Sequence, residues 1–598
     1  MASAFVAHPT EKTRPITDRA VDKYMMMEQL RSRLQADRAP YVPLWMDIQQ
    51  ILDPHLVIWD MMQAGFPDFV TDLFLTSKHL QSFDDLVSGL QEGITPMSQT
   101  WAKFGLMDDE DPLGDDPTIW NFFHQVTMKF QSILLNTNFY QQIPSLYRSV
   151  SRFLTGAIMM ERDPVSLVRF TVYPIGSYYI SNDNRGITDT FCREFRMKVK
   201  QVVEEFCTDA DGNVNTDNLS DTTRLIYEDP RRHEEWINVI MMIMPNPEFD
   251  SLKAKYISKY KKFSLNYYEY GQGIGGKILR EEGFDYFPVY CPRWFRQPTD
   301  SYGTDGPGAK ARAPIWRLFK AIQMYLNGLQ KVIEPPMVAD PQVAGVTGGG
   351  YPGTTPNFLT VVPGGAGPGK AFAPAYQIQP DLKAVQEFML QTENEIDKLC
   401  MADIFRALSN LEGKTPLTAT EVLQRVQENS RVLGPIFGAF NFDWLQPMIM
   451  DLYWIMVDEK VIPPAPKGLH GKPLKVEVIS RIAIALKQGD INAMDAFVQG
   501  EEALAQVKQM PGTERLNADE VSDYRLRTLN LPPKFLYSPQ QVAKIRQQMN
   551  EMKAKQQAMA QAEQASKTAK NLGAANTGGD SNMLQKLIQQ AQGGTSAT

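Results

Sequence analysis

The feature that most limits what this chain can fold into is a stretch of about 45 residues dense in glycine and proline, Pro335 to Pro380, set between two helical segments. Ahead of it, Leu318, Ile322, Leu326, Leu329 and Ile333 recur at helical spacing in IWRLFKAIQMYLNGLQKVIEPP (Ile315 to Pro336), and Pro335 ends the run. A second helix is expected from Leu382 to about Leu408. Inside the excursion only FLTVV and AFAPAYQI read as strands, short ones between loops. So small a sheet buries little apolar surface on its own, and is expected to lean on neighbouring copies in a ring or on a partner. A flexible surface loop is the alternative.

The excursion also contains Gly364, Gly369 and Lys370 at the spacing G-x-x-x-x-G-K of a phosphate-binding loop. Such a loop needs a strand before it, a helix after it and a hydroxyl residue following the lysine. Here Pro363 follows the apolar run, Ala371 takes the hydroxyl position and Pro374 stands where the helix should grow, so no nucleotide site is expected. Gly271-Gln-Gly273-Ile-Gly275-Gly276 matches G-x-G-x-x-G, but KILREEG is too short for a dinucleotide-domain helix and a hairpin turn is expected. Asp209, Asp211, Asn213 and Asp217 resemble a calcium loop with Gly212 misplaced and Ser220 where a glutamate belongs, so we read a solvated turn. The six histidines show no zinc spacing, and no G-x-S-x-G elbow occurs. The expectation is a structural or mechanical protein: no enzyme, no cofactor and no metal.

At 598 residues the chain exceeds one compact core, and its net charge of −8 supplies no basic field to coat nucleic acid or anionic lipid. Four scattered cysteines suit a reducing compartment. No apolar run reaches the roughly 18 residues of a membrane span, and MASAFVAHPTEKTRP lacks a signal-peptide core, so a soluble protein made inside the cell is expected. The fold class expected is α+β, mainly helical. Helical texture runs from about Ala20 to Leu106 and again from Ile119 through IPSLYRSVSRFLTGAIMMERD. Strand-like alternation begins near Val165 and continues through ITDTFCREFRMKVKQVVEEF, WINVIMMIMPNP and FSLNYYEYG. After SNLEGKTP a long helix opens with the Thr418/Glu421 capping box and a Leu417/Val422 staple. Pro435 and Pro447 should kink it and Pro463 and Pro464 close it, roughly 60 Å on at 1.5 Å per residue. A further helix is expected from Ser538 to Lys570, ahead of a Gly-, Ala- and Gln-rich tail.

The run from Phe287 to Asp340 resembles the signature of the portal, or head-to-tail connector, proteins of short-tailed bacteriophages. A P-x-x-x-x-R-W stretch (Pro288 to Trp294) and a Tyr-Gly loop (Tyr302 to Pro307) precede a helix that ends in P-P-x-x-V (Pro335 to Val338). LTATEVLQRVQENSRVLGPIFGAFNFDWLQPMI resembles that family's long helix after the tunnel loop. The Tyr-Gly loop departs from the family at Thr304-Asp305. The resemblance covers about Ala20 to Leu531 and implies a ring, typically of twelve subunits, at one capsid vertex. Its partners would be the capsid and scaffolding proteins, the terminase large subunit, tail adaptors and double-stranded DNA in transit, with no membrane.

By element order it implies a wing (1–310 and the long helix, 418–466), a stem (311–334 and 381–408) and a clip (335–380). A tunnel loop (409–417), a crown (467–537) and a helical or barrel-forming tail (538–598) complete the map. Ser409, Asn410, Glu412 and Lys414 of the tunnel loop would face DNA, with Lys414 as a transient phosphate contact. Glu393, Glu395 and Asp397 of the second stem helix would line a negative wall that does not grip phosphates; a solvated face or subunit-subunit pairs is the alternative for these charges. Tyr351, Asn357 and Lys370 would belong to the docking surface of the clip. A packaging ATPase or nuclease using the glycine-rich segment, and a non-channel tail or internal core protein, are the competing functions.

Overall fold

The computed structural model describes residues 16–53, 76–106, 117–208, 213–272, 276–295, 300–340, 359–362, 370, 372–374, 382–403, 406, 434–469, 472–479, 494, 497–500 and 539–574. The chain divides into two units, Met1–Leu516 and Asn517–Thr598.

In the first unit, helices α1 (Ile16–Arg38), α2 (Val42–Leu52) and α3 (Lys78–Ile94) lead into strand β1 (Ala102–Leu106). Helices α4 (Pro117–Asn136) and α5 (Phe139–Phe153) follow, and Leu154, in the left-handed region at φ 69°, turns the chain out of α5. Strands β2 (Ala157–Asp163), β3 (Leu167–Tyr173), β4 (Tyr178–Asn182) and β5 (Thr188–Lys198) come next, then α6 (Val199–Phe206) and α7 (Asp221–Glu228). Strands β6 (Trp236–Pro245), β7 (Phe263–Glu269), β8 (Ile278–Phe284) and β9 (Val289–Tyr290) complete the sheets of this region. One sheet has the antiparallel order β4-β5-β6-β7-β8, and a second the order β3-β2-β9.

β6 is the middle strand of the larger sheet, and its residues Val239 to Met244 are all buried. Alternate side chains point to opposite faces of a strand. Ile240, Met242 and Met244 therefore meet Tyr24, Met27 and Leu34 of α1, while Met241 and Ile243 enter the main core. A strand covered on both faces loses its polar alternation, which is why INVIMMIM reads as a continuous apolar run.

The hairpin expected at Gly271 to Gly276 joins β7 to β8, and its glycine has a packing cause. A Cβ on Gly276 would stand 2.2 Å from the ring of Tyr24, whose hydroxyl donates to Glu269 O and accepts from Gln272 N–H. The turn is closed by α1, not by a phosphate.

Four expectations need correction. AIMMERD is β2 and not the end of a helix, because the left-handed Leu154 reverses the chain before it. Trp101 to Leu106 contributes β1 and not helix; β1 pairs antiparallel with β13 (Leu474–Val478), a partner about 370 residues away. VKQVVEEF is α6 and not strand: Val199, Val202 and Val203 sit on one helical face against Cys207 and Leu219. The long helix ends at Asp458, short of the proline pair.

α8 (Pro307–Ile333) starts earlier than the apolar spacing indicated, with Pro307 in its first turn, where the missing N–H costs nothing. Three short strands follow, β10 (Met337–Ala339), β11 (Leu359–Val361) and β12 (Phe372–Pro374), with β10 in the centre, parallel to β11 and antiparallel to β12. α9 (Leu382–Leu399) stops nine residues before the expected Leu408, and Met401 turns the chain at φ 55°. The capping box at Thr418 and Glu421 lies outside the described residues. Residues 434–440 are helical and run through a π-turn at Asn441–Leu445 into α10 (Gln446–Asp458). The second unit contributes α11 (Pro539–Ala574).

Candidate functional site: an anchored helix pair tipped by a small sheet

The segment from Pro288 to Pro307 forms a joint. Arg293 and Asp443 are almost fully buried and meet as a two-toothed pair, Nε to Oδ2 and Nη2 to Oδ1, each 3.0 Å. The same guanidinium donates to Asp300 O and Gly186 O, so one side chain ties the loop ahead of α8, the β4–β5 turn and the π-turn together. Buried charge of this kind is tolerated when its donors are all used. Trp294 lies edge-on to Phe440, and the Tyr302 hydroxyl accepts from Ile180 N–H at 3.0 Å. Gly308, in the first turn of α8, is a contact that only glycine permits, since a Cβ there would lie 1.8 Å from Arg152 O. The Arg-Trp and Tyr-Gly words of the sequence are thus the parts of a rigid mount.

From this mount α8 and α9 run antiparallel. Arg317 meets Glu395 at 3.0 Å near the base, and Gln386 donates to the Tyr325 hydroxyl at 3.1 Å nearer the tip. The base is clamped from several sides. Asp47 of α2 receives Arg312 and the Trp316 indole, and His79 of α3 lies edge-on to Phe319. Burial pushes His79 down to about 4, so it is neutral, with Nε2–H donating to Ile51 O. Asp397 of α9 accepts from Ser82 (2.5 Å), Lys78 (2.6 Å) and Arg406 (3.0 Å), while Arg406 also reaches Asp85 of α3. Burial disfavours that carboxylate, but the three donors outweigh it and hold its pKa below the usual range.

The two ends of the pair differ sharply. Every buried residue of α8 lies between Pro307 and Ala321. Beyond Ala321 the helix buries nothing, yet carries Met324 (65 % exposed), Leu326, Val332 and Ile333 (68 % exposed). Phe388 and Leu390 are similarly exposed on α9. At the tip, the β10–β12 sheet buries only Ala339 and Thr360 among its described residues.

The expected site residues separate into three groups. Glu393 and Glu395 are half-exposed on α9, with Glu395 already paired to Arg317. Asp397 does not face outward: it is the buried anchor of the base and cannot serve on an open wall. Lys370 is exposed at the β11–β12 connection, and the chain after it enters strand β12 where a phosphate-binding loop would need a helix. Ser409, Asn410, Glu412, Lys414, Tyr351 and Asn357 lie outside the described residues. The anchors Asp47, Lys78 and Asp85 were not singled out in the sequence, because each sits on a helix remote in the chain from the one it holds. Among the described residues no cluster could hold a metal ion, and no helix is long and apolar enough to cross a membrane. The four cysteines are buried free thiols.

The family described as bacteriophage head to tail connecting protein matches residues 26–536. The chain is 29% identical over 552 residues to the portal protein of Salmonella phage epsilon15, covering 92% of this chain and 95% of that one. It is 26% identical over 553 residues to the probable portal protein of Bordetella phage BPP-1, covering 91% and 94% respectively.

Proposed function

We propose how this chain performs a portal's work from one premise: it belongs to the bacteriophage head-to-tail connecting protein family. That family is a structural, virion-associated class, and the relatives matched along nearly their whole length are portal proteins. Copies of the chain close into a ring, about twelve in number, at one vertex of the capsid. The mount and the sheets form the wing, α8 and α9 the stem, and β10–β12 the clip. Because β13 is paired to β1, the crown begins after Val478. DNA passes through the centre, past the stem and the tunnel loop of Ser409 to Leu417. Terminase and later the tail adaptors dock on the clip, with Tyr351, Asn357 and Lys370 on its surface. Capsid and scaffolding proteins meet the wing.

The observation that carries the ring is the unsupported distal half of the stem. Burying one side chain such as Met or Ile contributes about 1.5–3 kcal/mol, and α8 leaves at least four such groups exposed in a single chain. Only lateral neighbours supply that burial without a new fold. Met324→Lys combined with Ile333→Lys tests this, since neither position is buried in one chain. The variant is expected to keep the parent's thermal midpoint as a monomer and to lose the ring mass by light scattering. A variant that assembles like the parent removes the stem from the subunit contact.

A further inference from the structure

The central strand β6 carries two unlike surfaces at its ends, ten residues or roughly 30 Å apart. After Pro245 the chain builds a projecting knob, residues 246–262, before re-entering the sheet as β7. The knob is ordered from within. Asn246 donates its side-chain amide to Lys259 O and Lys261 O, both at 2.8 Å, Asp250 N–H donates to Tyr260 O, and Ser258 donates to Gly283 O. Yet its apolar side chains point out: Leu252 is 75 % and Tyr256 89 % exposed, with Phe249 and Ile257 beside them. Five lysines stand against two carboxylates in this segment, and Lys255 and Lys262 are exposed.

At the other end of β6, α6, α7 and the turn before Trp236 form a shoulder. Hydrogen bonds from Val199 N–H to Glu235 O and from Lys200 N–H to His233 O fix it to the start of the strand. Eight described carboxylates stand against four basic residues between Val199 and Trp236. The shoulder also exposes large apolar groups, Leu225 at 64 % and Trp236 at 55 %.

We infer that the basic, aromatic knob of one copy docks on the acidic, apolar shoulder of the next copy, making the wing a head-to-tail subunit contact. The inference rests on the ring reading of the preceding section. Two complementary patches at opposite ends of one rigid sheet give a heterologous contact, the type that generates a closed ring when the rotation per subunit divides the circle. Each patch has the composition of an interface, aromatic and aliphatic groups ringed by charge, and the opposite signs set the pairing direction. A knob-to-knob or shoulder-to-shoulder contact would bring like charges together.

The test uses charge reversal of exposed residues in the full chain. A knob variant carries Lys253→Glu, Lys255→Glu and Lys262→Glu; a shoulder variant carries Glu228→Lys and Glu234→Lys. Each alone is expected to keep the parent's circular dichroism and thermal midpoint while ring formation falls at least tenfold by mass photometry. Mixed in equal amounts, they are expected to form rings again, because each reversed patch now meets its complement on the other variant. Normal rings from either variant alone, or no recovery in the mixture, overturns the inference. Normal rings from a knob variant that no longer enters capsids also overturns it, and gives the knob to another virion protein. A parent chain that forms no rings refutes the ring reading itself, so the two failures are distinguishable.

Discussion

Arg293 is the residue on which the loops of the first unit converge, and its energetics follow from what surrounds it. Arg293→Leu leaves Asp443 buried with no counter-charge, which costs about 3–5 kcal/mol. Denaturant midpoints should therefore fall steeply for the single variant, and recover in large part when Asp443→Leu is added. Equal losses for the single and double variants would contradict the pairing. A second residue-scale prediction concerns Asp451 of α10, which accepts a hydrogen bond from Tyr290 at 2.7 Å. Burial pushes its carboxyl up to about 6, against the opposing pull of that hydrogen bond and of Lys262. The fold thus holds the protonated form better. Its stabilising contribution is full below the ordinary carboxylate value of about 4 and is lost as pH rises through about 6. Asp451→Asn should gain stability relative to the parent between about pH 4 and pH 7. Thermal unfolding across that range measures the difference, and parallel curves would refute the buried carboxyl.

The stem helices explain what the sequence could and could not reveal. α8 and α9 were legible from apolar spacing, and so was the small sheet between them, from FLTVV and AFAPAYQI. α6 was legible too: Val199, Val202 and Val203 keep helical spacing, but they follow an alternating strand without a break. The β1–β13 pair was not, because its register depends on a partner in a distant part of the chain. Pro447 was expected to kink the long helix. Instead the ladder widens just before it, with Gln446 N–H bonded to Asn441 O five residues back, so the helix absorbs a residue that cannot donate. Among the charges expected to form a wall, periodicity placed Glu393, Glu395 and Asp397 on one helix. It could not show that Lys78 and Ser82 of α3 bury the last of them. The element-scale prediction is correspondingly narrower. Glu393→Lys with Glu395→Lys should leave ring assembly intact, since an exposed pair such as Arg317–Glu395 is worth under about 1 kcal/mol. DNA packaged per particle should nonetheless fall, because repeated lysines would hold phosphates. Full genome packaging by that variant would remove these carboxylates from the channel.

At the scale of the whole molecule, a structured mount holds a helix pair whose outer half has nothing to lean on. The chain carries its own complement for that missing burial only if copies stand side by side. Family membership gives the portal role, and the physical argument adds why a single copy is an incomplete structure. The glycine-rich run that imitates a nucleotide loop lies between two strands of the clip, so energy for DNA movement would come from a docked motor. Electron microscopy of the purified full-length chain tests the central claim most directly. The account predicts rings of uniform subunit number with a central hole wide enough for a DNA duplex. Discrete monomers at every protein concentration, or closed particles without a hole, would contradict it.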